Sequence, residues 1–380
     1  MADRRPVVIL STADFDSPLW TNKQHIASRL ANERPTTYVE SLGLRRPTFS
    51  AADLRRIMRR LRRAAKGPSL TQHGQSPRPD VVAPLVIPLH GSPSVRWVNE
   101  KLIRRTIGRA VPALPSSVLW TFSPLTYGLE QRAVRTIYHA VDLIHEQKGM
   151  PRRAILDHEK ALCETADFVV ASSVGVQRHL TALGRTDVLL WENVADTTLF
   201  AAAAQTGGRR EARAVFFGNL SPSKVDVRLL TSVANAGLKL SIAGPIGIDG
   251  TSPDTELHAL LSHRNVTYLG VVTQDRLAQE CARSRVGLIP YRANDYTAGV
   301  FPMKVYEYLA AGLSVVATGL PSLEGREIEG LALVRPEAFV GEVQSRSTDF
   351  AAEGSLRRQA EARAHSWESR IEQMRPLLDD

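Results

Sequence analysis

The sequence predicts an α/β protein built from two Rossmann-like, doubly wound domains. Short apolar strand candidates alternate with stretches of helical periodicity along most of the chain, which is typical of parallel βαβ units. The length of 380 residues suits two domains at ~150 residues each. The alternation fades around residues 193–213, where Ala201–Gly208 has little pattern, and we place the join between the domains there.

The first half contains the strand candidates of one sheet. They are Val7–Ser11, Thr36–Glu40, Val81–Ile87, Val118–Thr121, Arg135–Tyr138, Phe168–Ala171 and Val188–Leu190. Helical patterns at 22–30 and 52–66 fill the first two gaps, and the glycine- and proline-rich stretch 67–80 is predicted to be a loop. These elements define a predicted N-terminal domain over residues 1–192.

The second half repeats this plan. Its strand candidates are Ala214–Phe217, Leu238–Ala243, Val266–Leu269, Val286–Tyr291, Ser314–Thr318 and Leu331–Val334. We predict a second domain over residues 193–355. Open α/β sheets bind ligands at the carboxyl ends of their strands, so we expect the two domains to face each other across a cleft lined by those ends.

Composition places the chain among ordinary globular proteins. Hydrophobic residues make up 43% and charged residues 23%, and no window holds the ~20 apolar residues of a membrane span. The apolar run Val7–Leu10 is too short for the core of a signal peptide. Cys163 and Cys281 lack metal-site spacing, so we expect buried free thiols and a cytoplasmic, reducing location.

The net charge of +9 comes mainly from arginine, which a GC-rich genome can inflate without a functional reason. The charge is concentrated in the predicted helix 52–66, where Leu54, Ile57, Met58 and Leu61 form an apolar stripe. Such a basic amphipathic helix can lie peripherally on an anionic membrane or pack on a sheet with its arginines in water. Nucleic acid binding is the weakest alternative, and we predict none, because no aromatic-rich basic surface or zinc-finger spacing accompanies the charge.

The segment 301–312 is the most informative motif. It predicts a short helix that begins at Pro302, a favourable first helical residue, and ends at the capping residue Gly312. Lys304 and Glu307 lie one turn apart, opposite the apolar face. Together with the free backbone N–H groups near Met303, they suit a diphosphate and the hydroxyls of a ribose. The alternative is an ordinary Lys–Glu pair on a solvated helix.

Two strand-to-glycine turns precede that helix. Gly218 follows a strand and leads through Asn219 to Lys224, so the backbone can approach a ligand while Lys224 points to a phosphate. Gly244 follows the next strand in the same way. Neither turn has the GxGxxG spacing of a dinucleotide site, which argues against a nicotinamide-dependent enzyme.

These segments resemble the GT-B glycosyltransferases, in particular family-4-like members (glycosyl transferases group 1) and the xanthan-type glucuronosyltransferases. The turn 218–224 resembles the family's Gly-Arg-Leu-x-x-x-Lys turn, and 301–318 resembles its donor-binding helix with the strand that follows. Residues 193–200 and 162–173 resemble two further family segments. The motifs occur in the family's order between about 160 and 320, whereas the first 130 residues match in architecture alone.

The resemblance implies a nucleotide-sugar donor, with UDP-sugar favoured over GDP- or dTDP-sugar, and no cofactor or metal. Its implied donor-binding residues are Gly218, Asn219, Lys224, Gly244, Val272, Tyr291, Pro302, Met303, Lys304 and Glu307. Lys304 and Lys224 would stabilise the leaving diphosphate, Glu307 would bind ribose, and the loop at Val272 would hold the base through its backbone. The final helix, 356–380, would cross back to the N-domain, with Trp367 more suited to packing than to ligand binding.

Two departures from the family pattern bear on mechanism. The first glutamate of the retaining family's Glu-x7-Glu pair falls at Gly299, and the usual arginine after the turn glycine is Asn219. The xanthan-type branch lacks that glutamate pair and is inverting. The stereochemical outcome therefore stays open.

An inverting enzyme needs a base that takes a proton from the acceptor hydroxyl. Asp142 follows a strand of the N-domain and is our candidate, with a helix N-cap as the alternative. His139, with Glu146 and His145, is a lesser candidate. Asn22 and His25, in the connection after the first strand, could contact acceptor or donor phosphate, or could serve capping and the surface.

Asp14-Phe15-Asp16 formally matches a metal-binding DxD sequence, but its place after the first strand does not suit a metal-dependent transferase. We expect a hexosyltransferase that acts on a small-molecule, lipid-linked or saccharide acceptor. The alternatives are a degenerate GT-B module that binds nucleotide without turnover, as partner or activator, and the nicotinamide-dependent enzyme.

Overall fold

A computed structural model describes residues 4–17, 20–45, 78–147, 149–246 and 255–379. These residues form two compact units, Met1–Glu192 with Ile371–Asp380, and Asn193–Arg370. The predicted basic helix 52–66, and with it the predicted membrane contact, lies outside the described residues. Among the described helices, none is both long enough and apolar enough to span a bilayer.

The first unit is built on a parallel sheet with the order β3-β2-β1-β4-β5-β6-β7. Its strands are β1 (Val7–Leu10), β2 (Thr36–Val39), β3 (Asp80–Val82), β4 (Val118–Thr121), β5 (Arg135–Ala140), β6 (Phe168–Ala171) and β7 (Leu189–Leu190). β1 pairs in parallel with both β2 and β4. The order reverses at β1, so this sheet has its ligand-binding switch point between β1 and β4.

Helices connect the strands of this unit. They are α1 (Asn22–Ala31), α2 (Pro93–Ala110), α3 (Arg152–Thr165) and α4 (Val174–Ala182), with a 3₁₀ turn at Ile144–Glu146. The strand predicted over 81–87 is shorter than expected and ends at Val82. Pro84 and Pro88 lack the N–H groups that would extend the ladder, and the side chain of Asn99 instead bonds both the N–H and the carbonyl of Ile87.

The second unit is built on a parallel sheet with the order β10-β9-β8-β11-β12-β13. Its strands are β8 (Arg213–Phe217), β9 (Lys239–Ala243), β10 (Val266–Tyr268), β11 (Val286–Pro290), β12 (Ser314–Thr318) and β13 (Leu331–Leu333). The predicted fold class, with two parallel α/β sheets, is confirmed. Here the order reverses at β8, which lies between β9 and β11, and this places the second switch point between β8 and β11.

Helices connect the strands of the second unit. They are α5 (Thr197–Thr206), α6 (Val227–Asn235), α7 (Thr255–Leu261), α8 (Gln274–Arg283), α9 (Asp295–Ala298), α10 (Lys304–Ala310), α11 (Phe339–Thr348) and α12 (Ala352–Arg363). The last helix, α13 (Trp367–Asp379), begins in this unit, and its residues from Ile371 onward belong to the first unit. Trp367 is 1% exposed, which agrees with packing rather than ligand binding.

The central strands of both sheets are buried and mostly apolar, as parallel strands covered on two faces require. All five residues of β12 and of β11 are buried. Cys163 and Cys281 are buried free thiols, as predicted. The polar segments described below follow the carboxyl ends of these buried strands.

Candidate functional site

The polar groups of the second unit gather at the carboxyl ends of β8, β9 and β11. Gly218 directly follows β8, Gly244 follows β9, and Tyr291 follows β11. Because all three strands are parallel neighbours, their following residues meet at one edge of the sheet. The two strand-to-glycine turns that the sequence shows, at Gly218 and Gly244, therefore lie at the same edge of the sheet.

Gly218 and Gly244 are packed against each other too closely for side chains. Gly244 has φ +132°, and a Cβ there would lie 2.0 Å from the carbonyl oxygen of Gly218. Gly218 has φ +139°, and its Cβ would lie 2.7 Å from Nζ of Lys304. Both positions lie in the region that glycine favours. The absence of side chains lets the Lys304 ammonium lie directly against the backbone of the turn.

Two lysines converge on Tyr291. Lys304 Nζ lies 3.1 Å from the Tyr291 hydroxyl, and Lys224 Nζ lies 4.7 Å from the centre of the same ring. Lys224 is held by its backbone, since its carbonyl accepts a 2.9 Å hydrogen bond from the N–H of Arg292. The arrangement concentrates positive charge at the sheet edge beside Gly218.

The phenol of Tyr291 reports this charge. Burial opposes ionisation and alone would raise its pKa, but the charges of Lys224 and Lys304, with their hydrogen bonds, outweigh burial and lower the pKa to about 8. Two cations thus act on one oxygen. The same field would act on any anion bound at this edge of the sheet.

The predicted helix at 302–312 is confirmed with a later start. It runs over Lys304–Ala310, with Met303 at its N-cap. The first turn is tighter than an α-helix, because the N–H of Val305 bonds the Pro302 carbonyl three residues back. The predicted end is confirmed: Gly312 has φ +79°.

Two hydrogen bonds complete this helix end. They run from Gly312 N–H to the Leu309 carbonyl and from Leu313 N–H to the Tyr308 carbonyl. This pair of bonds is that of a Schellman motif.

Glu307 is not part of a solvated pair. Its residue is 8% exposed, and residues 305–310 are all buried, so the alternative of a surface Lys–Glu pair is wrong. Burial raises the pKa of the Glu307 carboxyl to about 7, against the opposing effect of Lys304. A buried carboxylate one turn from Lys304 can accept hydrogen bonds from ligand hydroxyls.

The remaining predicted donor residues surround this edge of the sheet. Pro302 is buried, and the carbonyl of Phe301 accepts a 2.5 Å hydrogen bond from the Asn193 side chain. Oδ1 of Asn219 is buried and has no hydrogen-bond partner among the residues that the structure describes. Val272 is half-buried and follows Val271, whose side chain is 50% exposed.

Comparison with known proteins finds a family match within the second unit. Residues 211–349 match the family described as Glycosyl transferases group 1. The matched range includes every donor-binding residue predicted above, from Gly218 to Glu307, and it confirms the predicted resemblance to group 1 glycosyltransferases.

One curated relative is the putative teichuronic acid biosynthesis glycosyltransferase TuaH of Bacillus subtilis (strain 168), which is 32% identical over 181 residues. The matched region covers 45% of this chain and 45% of that relative, so the chain spans less than half of the relative's length.

Solved structures match nearly the whole chain. Sucrose-phosphate synthase from Thermosynechococcus elongatus has a TM-score of 0.69 at 17% identity, with 98% of each chain covered. Anabaena HepE in complex with UDP and glucose has a TM-score of 0.64 at 13% identity, with 99% of each chain covered. At these identities the likeness shows the fold, which is that of the GT-B glycosyltransferases.

In the first unit, four consecutive polar residues are buried at the start of α1, namely Asn22, Lys23, Gln24 and His25. The surface alternative for Asn22 and His25 is therefore wrong, and the capping residue is Thr21, which exchanges hydrogen bonds with Gln24. Burial lowers the pKa of His25 to about 3, so its ring is neutral at physiological pH. It lies against Arg29 and Trp20.

Lys23 is a functional candidate that the sequence analysis missed. It is 6% exposed, and burial lowers its pKa while the charge of Asp142 raises it. Lys23 thus lies within electrostatic reach of the predicted base. The sequence signal that could have indicated Lys23 is the run of four polar residues at the start of the first helix after β1.

Asp142 follows β5, near the switch point of the first sheet. The alternative of a helix N-cap is wrong: the next element is the 3₁₀ turn Ile144–Glu146, whose N-cap is Leu143 without a side-chain capping bond. His139 points into an aromatic environment, with its ring centre 5.0 Å from that of Phe122, and it is 2% exposed. The carboxylate of Glu146 is engaged by Arg152 at 2.5 Å.

Proposed function

We propose that this protein is a glycosyltransferase that moves a sugar, of hexose type, from a nucleotide diphosphate sugar to an acceptor hydroxyl. The observation that carries the proposal is the convergence of Lys304 and Lys224 on Tyr291, against the glycine turn at Gly218. A diphosphate bound at this edge would carry negative charge that offsets the repulsion between the ammonium groups of Lys304 and Lys224. Charge-assisted hydrogen bonds from such groups are among the strong ones in proteins.

The proposed chemistry uses protein cations in place of a metal. During transfer, negative charge develops on the β-phosphate as the bond to the sugar breaks. Lys304 and Lys224 would stabilise that charge, and Glu307 would hold the ribose hydroxyls. The buried Oδ1 of Asn219, which has no hydrogen-bond partner within the described part of the chain, would accept a hydrogen bond from the donor.

UDP is the favoured nucleotide. Anabaena HepE, which shares the fold, is described in complex with UDP and glucose, and an α,α-trehalose-phosphate synthase of Burkholderia vietnamiensis is described as UDP-forming. The loop at Val271 and Val272, where Val271 is 50% exposed and Val272 half-buried, would hold the base through its backbone groups. GDP- and dTDP-sugars are the competing donors.

The acceptor is proposed to be a lipid-linked or saccharide hydroxyl. The printed name of the TuaH relative refers to teichuronic acid biosynthesis, which favours a glycoconjugate. The basic segment 52–66, outside the described residues, would bring the protein to an anionic membrane surface. Sedimentation of the protein with anionic vesicles at low salt tests this membrane contact. Absence of binding would contradict it.

The donor site is tested by calorimetric titration of the full chain with UDP, GDP and dTDP. We expect UDP to bind most tightly, and Lys304→Ala to weaken it by about tenfold to a hundredfold, since a charged hydrogen bond contributes about 1.5–3 kcal/mol. Lys239→Ala is the matched control, because Lys239 lies on the same unit with a side chain that is 67% exposed. Equal UDP affinity in the Lys304→Ala and Lys239→Ala variants would show that the site is elsewhere.

The position of Gly299, where the retaining pattern has glutamate, favours one alternative: a module that binds nucleotide without turnover. Donor hydrolysis and transfer to a panel of acceptors distinguish the two. Tight UDP binding with no turnover against any acceptor would favour the binding module. The nicotinamide-dependent alternative is set aside, because the segment that would hold its cofactor matches a glycosyltransferase domain.

A further inference from the structure

Three ligand-type side chains meet in the first unit, apart from the predicted base. His145 lies in the 3₁₀ turn after β5, Glu159 on α3, and His179 on α4. Their nearest ligand atoms all lie within 4.8 Å of one another. Three elements distant in sequence thus contribute one imidazole or carboxylate each to the same point.

One of these groups is unsatisfied. Nδ1 of His145 is buried and has no hydrogen-bond partner among the residues that the structure describes, and the side chain is 5% exposed. It lies 3.9 Å from Oε2 of Glu159, which is too long for a hydrogen bond. A buried polar atom without a partner is unfavourable and calls for an explanation such as an ion.

The spacing fits a small divalent cation. Ligand atoms about 2.1 Å from a tetrahedral metal lie about 3.3 Å from each other. Oε2 of Glu159 lies 2.7 Å from Nε2 of His179 and 3.9 Å from Nδ1 of His145. These two distances fall on either side of the required value, and the third pair of ligand atoms lies within 4.8 Å. A bound ion would therefore draw the three side chains together by about an ångström.

The surrounding residues already orient these ligands. The Tyr138 hydroxyl donates a 2.5 Å hydrogen bond to Oε1 of Glu159, which leaves Oε2 to face the two histidines. Nε2 of His145 lies 3.3 Å from Glu146, whose carboxylate is held by Arg152. A carboxylate behind a ligating histidine, and a hydrogen bond to a ligating carboxylate, are the usual supports of metal ligands.

We propose that His145, Glu159 and His179 form a three-ligand site for a Zn²⁺-class transition-metal ion. Two imidazole nitrogens and one carboxylate oxygen form a common zinc ligand set, and a fourth position is left for solvent. The ion would fix the turn 144–146, two residues after Asp142, against α3 and α4. It is independent of the donor site, and failure of either proposal leaves the other intact.

The test is metal titration of the full chain after removal of bound metal with a chelator. We expect one Zn²⁺ per chain, and Co²⁺ in its place should give the intense visible absorption of a four-coordinate site. His145→Ala and His179→Ala should each weaken binding at least tenfold. His158→Ala is the matched control, because His158 precedes Glu159 on the same helix and bonds the Ala154 carbonyl.

Two results would overturn the proposal. One is wild-type protein that binds neither Zn²⁺ nor Co²⁺ stoichiometrically. The other is binding that persists unchanged in a folded His179→Ala variant, as judged by circular dichroism. His179 is the more exposed ligand, with 19% of its side chain accessible, so its removal disturbs packing less than removal of His145.

Discussion

The ammonium of Lys304 lies 3.1 Å from the hydroxyl of Tyr291, while the ammonium of Lys224 lies over the same ring. Both lysines come from segments that the sequence motifs single out, and β11 places the tyrosine that they share. This relationship makes Tyr291 a reporter of charge at the proposed donor site. We therefore expect UDP binding at this site to depend on pH.

We expect Tyr291 to ionise at about pH 8 in the free protein, because the two lysines together outweigh its burial. A bound diphosphate adds negative charge, which disfavours the phenolate and raises this pKa. By linkage, UDP affinity should fall as pH rises above about 8. Tyrosinate absorbance with and without UDP, together with UDP titrations between pH 7 and 9.5, measures both effects.

Tyr291→Phe provides the control for this pH dependence. The phenylalanine ring keeps the packing but has no hydroxyl to ionise. We expect the fall in UDP affinity above pH 8 to disappear in this variant. An unchanged fall would assign the effect to another group.

Glu307 should make the second unit less stable as pH rises. Its folded-state pKa of about 7 lies above the unfolded value, so between about pH 4.5 and 7 the folded chain holds a proton that the unfolded chain has lost. The free energy of unfolding therefore decreases with rising pH across this window, by up to about 3 kcal/mol. Urea unfolding at pH 5 and pH 7.5 measures the decrease.

Glu307→Gln removes the titrating group at nearly constant volume. We expect this variant to lose most of the pH dependence in that window and to gain stability at pH 7.5 relative to wild type. It should bind UDP more weakly, because an amide is a poorer acceptor than a carboxylate for ribose hydroxyls. If the free energy of unfolding of Glu307→Gln changed with pH as steeply as that of wild type, Glu307 would not be the group responsible.

Asp142→Asn should lower kcat about 10²- to 10⁴-fold if Asp142 is the base, while UDP affinity stays unchanged. Lys23 lies within electrostatic reach of Asp142, whose charge raises the pKa of that buried lysine against the effect of burial. Asp157→Asn is the matched control, since Asp157 lies in the same unit with a side chain that is 68% exposed. Steady-state kinetics with a glycoconjugate acceptor measures the change in kcat. A wild-type kcat in the Asp142→Asn variant would exclude Asp142 as the base.

Arg34 and Asp379 should anchor the end of the chain to the first unit. Two hydrogen bonds of 2.7 and 2.9 Å join them, and the Arg34 side chain is fully buried. Asp379→Asn removes the carboxylate that neutralises this buried guanidinium, and we expect a loss of about 2 kcal/mol after allowing for the partly exposed carboxylate.

The hydrogen bond with Arg34 lowers the pKa of Asp379, so its contribution is present above the unfolded pKa and is lost at lower pH. Urea unfolding at pH 7 and pH 3 tests both statements. Asp157→Asn should leave stability nearly unchanged. A similar small effect for Asp379→Asn would mean that the terminal contact adds little.

Much of the fold was predictable because parallel strands are short apolar runs. Residues 118–121, 168–171 and 314–318 were predicted as strands with the bounds that the structure has. The predicted bounds were wrong where single residues or hydrogen bonds determine the end of an element. Pro84 and Pro88 ended β3 early, and a tight first turn moved the start of α10 from Pro302 to Lys304. Helix and strand ends depend on single hydrogen bonds, which hydrophobic periodicity does not encode.

The sequence by itself determined the two parallel sheets, the glycine turn at Gly218 and the helix with Lys304, because periodicity and glycine punctuation are local properties. Tertiary structure alone decided which groups are buried and which charges meet. It excluded the alternative of a solvated Lys304–Glu307 pair, because Lys304 is half-buried and the carboxyl of Glu307 is buried. It also brought His145, Glu159 and His179 together, since burial and convergence depend on contacts between elements far apart in the chain.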